Sequence, residues 1–274
     1  MKHVYLLCEN AEHSLSPVMH NAAFGALGLE AHYEALSVTE AELPRITKRL
    51  READVYGANV TIPHKLAVIP LLDALSAEAG TVGAVNTIVN RDGTLTGHNT
   101  DISGFSRALT EDGHFDAEGR DVVMLGAGGS ARAVGLALLR AGATLGIANR
   151  TGARAETLAR DLGRYGDVGA IRPGDLDRAV LRASLVVNTT SVGHGAHEPE
   201  VSPLPPGILP REMVVDIIYR PAETPLLRAA AAAGLKTQNG LAMLVYQGAE
   251  AFAAWTGQRA PTEVMFEALR GALE

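Results

Sequence analysis

The sequence predicts an α/β protein of two domains, and three observations carry that expectation. Short apolar runs of strand length alternate with Ala-, Leu- and Arg-rich stretches of helical length along nearly the whole chain, the pattern of sheets covered by helices. One of these alternations, residues 121–150, has a cluster of glycines directly after its strand. The 274 residues are enough for two modest domains, and a polar, glycine-bearing stretch, residues 113–119, separates the two sets of alternations.

The elements follow in order. Residues 3–8 (HVYLLC) read as a buried strand. Ser16 is placed as the N-cap and Pro17 in the first turn of a helix that stops at Gly28, positions these residue types favour. A strand is expected over 32–36, a helix over 40–50 and a strand over 56–60. Pro63 is expected to open a helix reaching about residue 75. Residues 81–90 and 93–98 read as a hairpin around Asp92-Gly93, a turn dipeptide. Asp101 starts a helix to about residue 112. Beyond the linker come strand 122–125, helix 131–141, strand 144–148, helix 154–162, a weak strand 168–171, helix 175–181 and strand 184–188. A loop with five prolines leads through Pro210 to strand 213–218, helix 224–233, a short strand 236–238 and two closing helices, 241–255 and 262–273. This alternation implies parallel, doubly wound sheets. The first, which lacks a phosphate-binding turn, reads as the substrate domain.

Composition narrows the function classes. Apolar residues at 47% suffice for a core, and a net charge of −7 disfavours nucleic acid and anionic membranes as partners. Aromatics at 4% leave no platform for stacking bases. Cys8 is the single cysteine, so no disulfide forms within the chain, as in a reducing compartment. No leader pattern opens the sequence, and no apolar run approaches the ~20 residues of a membrane span. His13, His20, His64 and His98 are not spaced as a zinc site, so no metal is expected; His194 and His197, in a Gly/Pro loop, are expected to face solvent. A cytoplasmic protein acting on a small molecule is expected, as monomer or homodimer.

Residues 121–150 form a strand–glycine turn–helix–strand unit. Gly126, Ala127, Gly128, Gly129 and Ser130 make the turn: one glycine permits its tightness, another lets a pyrophosphate approach the backbone, and the N–H groups opening the helix face the phosphates. This is a Rossmann-type signature. The second strand ends in Asn149, Arg150 and Thr151, with Arg154 one turn on and no carboxylate before Glu156. An NAD site usually carries an acidic residue there for the ribose 2′-hydroxyl; two guanidinium groups suit a 2′-phosphate instead, so NADP is the expected cofactor.

Two polar clusters lie in the first domain. Residues 57–65 (GANVTIPHK) pass from a strand end into the expected helix, with Lys65 in its first turn, where a cation opposes the helix dipole. Strand ends of this kind are where ligands bind. Asn86-Thr87 and His98-Asn99-Thr100-Asp101 form the second cluster. Asn is depleted in strands, which singles out Asn86; Asp101 alone reads as an N-cap. A Lys and an Asp in one cleft can share a proton, as reduction of a ketone requires.

Together with Ser14-Leu15-Ser16-Pro17, Gly83-Ala84-Val85-Asn86-Thr87, residues 188–193 (NTTSVG), Asp216-Ile217-Ile218-Tyr219 and Asn239-Gly240 through Gln247, these segments resemble the shikimate dehydrogenase family. The resemblance runs in family order over nearly the whole chain. It implies a substrate domain over 1–102 plus 241–274 and a Rossmann-type NADP-binding domain over 103–240, around a cleft. The activity implied is reversible NADPH-dependent reduction of 3-dehydroshikimate to shikimate, in aromatic amino acid biosynthesis. By the same resemblance Lys65 and Asp101 form the catalytic pair. Ser14 and Ser16 hold the substrate carboxylate, Thr61, Asn86 and Gln247 its hydroxyls, and Tyr219 lines the substrate side. Ile217, Gly240 and Met243 lie along the nicotinamide. Gly104 and Gly240 are candidate hinges. The chain departs from the family pattern at Cys8-Glu9-Asn10 and at Ile102, in place of glycine. A quinate or aminoshikimate dehydrogenase is the alternative on the same frame. A non-catalytic NADP-binding regulator is a third, opposed by the presence of both Lys65 and Asp101.

Overall fold

The computed structural model describes residues 1–12, 14–195 and 199–273; the expectations for His13 and His197 fall outside them. The chain forms two compact units, Met1–Gly104 with Leu244–Glu274, and Phe105–Met243.

The first unit contains strands β1 (Lys2–Cys8), β2 (Ala31–Ser37), β3 (Val55–Val60), β4 (Ala74–Leu75), β5 (Thr87–Arg91) and β6 (Thr94–His98), and helices α1 (Ser16–Ala26), α2 (Leu43–Arg49), α3 (Ala77–Val82) and the start of α4 (Asp101–Arg107). Its sheet order is β2-β1-β3-β5-β6-β4. β1, β2 and β3 are parallel, but β5 runs antiparallel to both β3 and β6. The sheet is therefore mixed, not wholly parallel. The two-residue turn at Asp92-Gly93, both with positive φ, is the cause: so short a connection joins only antiparallel neighbours. Tyr5, Leu7, Leu43, Leu50, Val60 and Ile88 are among the buried core of this unit.

One expected element is absent here and another is shorter than expected. No α-helix follows Pro63; residues 62–68 form successive turns, then a 3-10 turn, Ile69–Leu71. Pro70 has no N–H to return to Leu66, and the carbonyl of Lys65 accepts instead from Val85 N at 2.8 Å, so the i→i−4 ladder does not form. The strand expected from residue 81 begins only at Thr87, because residues before it form α3, whose N-cap Ser76 accepts from Ala79 N. Ser16 is likewise not a cap: Leu15 holds that position without a side-chain bond, and Ser14 Oγ accepts from Ser16 N at 3.2 Å.

The second unit contains β7 (Asp121–Leu125), α5 (Gly129–Arg140), β8 (Thr144–Ala148), α6 (Gly152–Leu162), β9 (Val168–Ala170), α7 (Leu176–Arg182), β10 (Leu185–Asn188), β11 (Met213–Asp216), α8 (Pro225–Ala232) and β12 (Lys236–Gln238). All strand pairs are parallel, in the order β12-β11-β10-β7-β8-β9. That is the doubly wound dinucleotide-binding order, whose direction reverses between β7 and β10. β10 is buried along its whole length, as a parallel strand covered on both faces requires. The chain returns to the first unit through α9 (Leu241–Thr256) and ends in α10 (Thr262–Leu273). Trp255 of α9, almost fully buried, donates its indole N–H to Ile88 O of β5 at 2.9 Å. Among the described residues no helix is long and apolar enough to cross a membrane.

Candidate active site

In the first unit, the turn after β3 and the N-terminus of α4 bring two ionisable groups together. Lys65 Nζ donates to Asp101 Oδ2 at 2.6 Å, with about a twelfth of either side chain exposed. Lys65 is thus not the solvent-facing lysine that is commonest, and the helix-dipole account of it falls away with the missing helix. Asp101 is the first residue of α4, where a carboxylate is favoured by the dipole, but it is not the cap: Asn99 Oδ1 accepts from Asp101 N at 3.1 Å. A buried ion pair is stable only when its remaining lone pairs are satisfied. The second carboxylate oxygen accordingly accepts from Asn86 Nδ2 at 2.8 Å.

Asn86 is the hub. Its Oδ1 accepts from Thr100 N at 2.8 Å and Thr87 Oγ1 at 3.0 Å; its Nδ2 also reaches Thr100 Oγ1 at 3.0 Å and Gln247 Oε1 at 3.4 Å. Gln247, on α9, is held by its own donation to Leu244 O. Gly104, at the boundary between the two units, packs closely on α9: a Cβ there would lie 2.7 Å from Gln247 N and Cβ. Ser16 is buried and Ser14 half-buried at the start of α1, and Thr61 is half-buried with its N–H on Leu7 O at 3.0 Å. Ile102, the second residue of α4, is 5% exposed, so its side chain is part of the core.

Sequence reasoning missed two members of this network. Asn59 Nδ2 donates to Asn86 O at 3.1 Å and Thr87 Oγ1 at 3.0 Å, and Tyr33 OH donates to Asn59 Oδ1 at 2.8 Å. The signal was available: Asn59 lies within β3, whereas Asn86 lies one residue outside β5.

The second unit carries the nucleotide-type residues. Gly126, with φ +113°, follows β7 where the strand order reverses, and a Cβ there would collide with Thr189 Oγ1; only glycine fits. Gly128 caps α5, and a Cβ there would meet nothing within 4 Å, leaving room beside the helix N-terminus for a phosphate group. Gly129 and Ser130 form the first turn of α5, with Ala127 half-buried before it. At the end of β8, Asn149 Nδ2 holds Thr151 O at 2.9 Å. Thr151 caps α6 with its backbone alone, and Arg150 and Arg154 are exposed with no ion pair among the described residues. Open cations around an uncapped helix N-terminus are the donor set a 2′-phosphate needs, so the residues present fit NADP. Gly240 packs directly on the Ile217 backbone, where a Cβ would overlap Ile217 O, so a close contact requires glycine there. Ile217 and Tyr219 are half-buried and Met243 is buried. His194, expected to face solvent, is half-buried.

One buried carboxylate had no assigned role. Asp216, at the end of β11, is fully buried, and burial pushes its pKa above the usual carboxylate range against the bonds from Ile218 N, Asn188 and Thr224. It ties Asn188 Nδ2 (3.1 Å) to Thr224 Oγ1 (2.8 Å) and so fixes the loop carrying Ile217 to Tyr219.

Three family models match the chain: "Shikimate dehydrogenase substrate binding domain" over residues 6–88, "Shikimate / quinate 5-dehydrogenase" over 108–217 and "Shikimate 5'-dehydrogenase C-terminal domain" over 240–270. A shikimate dehydrogenase (NADP(+)) of Moorella thermoacetica is 48% identical over 98% of this chain and 93% of its own. The shikimate 5-dehydrogenase of Thermus thermophilus, solved with NADP(H) and shikimate, superposes with a TM-score of 0.90 at 42% identity, covering both chains completely. A quinate dehydrogenase of Corynebacterium glutamicum solved with NAD gives a TM-score of 0.90 at 32% identity over 98% of this chain and 99% of that one. With this identity sustained along almost its full length, the chain belongs to the shikimate dehydrogenase family.

Proposed function

We propose that this chain is an NADP-dependent oxidoreductase that interconverts 3-dehydroshikimate and shikimate. The observation that carries the reading is the buried Lys65–Asp101 contact at 2.6 Å, in a chain whose relatives are named for that reaction. NADPH, when bound, supplies the hydride to the carbonyl carbon. The oxygen that gains charge needs a proton, and Lys65 Nζ would give it, acting as base in the reverse direction. Asp101 keeps the lysine side chain in one orientation while Asn86 holds Asp101. Ser14 and Ser16 would bind the carboxylate through hydroxyl and helix-start N–H groups. Thr61, Asn86 and Gln247 would read the ring hydroxyls, with Tyr219 beside the substrate. Gly126, Ala127, Gly128, Gly129 and Ser130 would cradle the pyrophosphate, Asn149, Arg150, Thr151 and Arg154 the 2′-phosphate, and Ile217, Gly240 and Met243 the nicotinamide.

A quinate dehydrogenase is the second reading, favoured by the Corynebacterium neighbour; the exposed Arg150 and Arg154 support NADP and hence the first. Initial rates of the purified protein with shikimate or quinate, each with NADP or NAD, decide between them. Turnover confined to shikimate with NADP is expected. Faster quinate turnover with NAD transfers the assignment to the second reading, and NADP binding without turnover of either polyol transfers it to an aminoshikimate substrate or to a non-catalytic regulator.

A further inference from the structure

The buried polar groups next to the Lys65–Asp101 pair form a chain with a single direction. Tyr33 OH donates to Asn59 Oδ1 at 2.8 Å, and Asn59 Nδ2 donates to Thr87 Oγ1 at 3.0 Å. Thr87 Oγ1 donates to Asn86 Oδ1 at 3.0 Å, and Asn86 Nδ2 donates to Asp101 Oδ1 at 2.8 Å. Amide orientations are ordinarily ambiguous, but backbone groups fix both here. Asn86 O can only accept, so the group of Asn59 facing it at 3.1 Å is the NH2. Thr100 N–H can only donate, so the group of Asn86 facing it at 2.8 Å is the oxygen. Tyr33 must then donate to Asn59. Thr87, already accepting from Asn59, has its proton for Asn86 Oδ1 at 3.0 Å or for Thr100 Oγ1 at 3.3 Å, which itself donates to Asn86 Oδ1 at 3.3 Å. By either route the line runs from Tyr33 to Asn86, whose Nδ2 donates to the carboxylate.

The line crosses the sheet. Tyr33 on β2 reaches past the intervening β1 to Asn59 on β3, which pairs in register with Thr87 on β5. Tyr33, Asn59, Thr87 and Asn86 are each at least nine-tenths buried, so water cannot replace a lost partner. Beside Tyr33 lies His20, whose ring stacks on it at 4.5 Å and 13° and whose nitrogens have no hydrogen-bond partner among the described residues.

We propose that Tyr33, Asn59 and Thr87 are positioning residues for the reaction: a one-way hydrogen-bond relay that holds the Asn86 carboxamide on Asp101 and thereby sets the Lys65–Asp101 geometry. The proposal rests on the assignment of that pair as catalytic. The line meets the pair at Asp101 through the Asn86 amide, so the three residues act through Asn86. Misplacing Asn86 by a fraction of its bond lengths is enough to be seen in kcat, since displacements near 1 Å cost about a hundredfold.

The test compares Thr87→Val, Thr87→Ser, Tyr33→Phe and the double variant Tyr33→Phe/Thr87→Val, with Lys65→Met as reference, in shikimate oxidation with NADP and in thermal unfolding. Thr87→Val and Tyr33→Phe are each expected to lower kcat about tenfold or more with the KM for NADP unchanged. Thr87→Ser, which keeps the donor, should return kcat to within about twofold of the parent, and the double variant should lose little more than the worse single one, as members of one chain do. Losses that are equal for Thr87→Val and Thr87→Ser, or that multiply in the double variant, reduce the network to ordinary packing and overturn the relay. Parent-like kcat in both single variants overturns it too, provided Lys65→Met is inactive. A Lys65→Met variant that keeps its rate removes the underlying catalytic assignment instead.

Discussion

The two units treat their site residues in opposite ways. In the first, Lys65, Asp101, Asn86, Thr87 and Asn59 are buried and bonded to one another. In the second, Arg150, Thr151 and Arg154 stand exposed, and Gly128 borders empty space. The difference follows from the task proposed for each. Transfer of a proton to a particular oxygen requires orientation to a fraction of an ångström, which a buried, fully satisfied network enforces. Recognition of phosphate requires charge and N–H groups and tolerates mobile side chains. One end is organised by side chains already engaged, the other by backbone and cations still open.

Three experiments probe that contrast, beginning with the largest effect. Lys65→Met removes the proposed proton donor and should lower kcat by roughly 10²–10⁴ while the KM for NADP stays constant; a kcat near the parent value would mean the buried pair is structural only. Arg150→Ala removes one open cation and should raise the KM for NADP by about tenfold or more, as loss of a charge-assisted bond implies, with little effect on NAD. Equal effects on both nucleotides would place Arg150 outside the phosphate site. The smallest effect concerns the stacked end of the relay. Burial holds His20 down at about 3 against an ordinary 6.5, so the unfolded chain takes up the proton first. Its contribution to stability is complete above pH 6.5 and is lost as pH falls towards 3. By pH 5.5 that loss should be about 1.4 kcal/mol relative to neutral pH. Urea midpoints at pH 7.5 and 5.5 measure it, and His20→Phe should flatten the difference; an unchanged slope would show that other groups set it.

The fold was legible wherever a pattern is local. The glycine turn after β7, the strand pair 121–125 and 144–148, and the Asp92-Gly93 hairpin each declare themselves within a few residues. What could not be seen depends on partners far away in the chain. Pro63 looks like a helix start, but Pro70 and the claim of Val85 N on the Lys65 carbonyl prevent the helix. The same distant segment helps to explain why Lys65 is buried. For the site, an asparagine in a strand was the right kind of signal, and it belonged to Asn59. Tyr33 could not be found at all, since nothing within β2 reveals that its hydroxyl crosses a strand to meet an amide 26 residues later. Asp216 shows the same limit: its burial and its link to Thr224 are properties of packing, not of the surrounding sequence.

The return of α9 and α10 bears on how the protein is made. Residues 1–104 and 244–274 form one unit, in which Trp255 donates to Ile88 O and Gln247 meets Asn86. Chains are synthesised from the N-terminus at about 5–20 residues per second, and domains ordinarily fold in that order. On the ribosome the unit that holds Lys65 and Asp101 stays incomplete for several seconds after its first strands emerge, because residues 105–243 are made before residues 244–274. The unit encoded second is the one free to finish first, and the Lys65–Asp101 pair gains its full surroundings only once residues 244–274 have emerged.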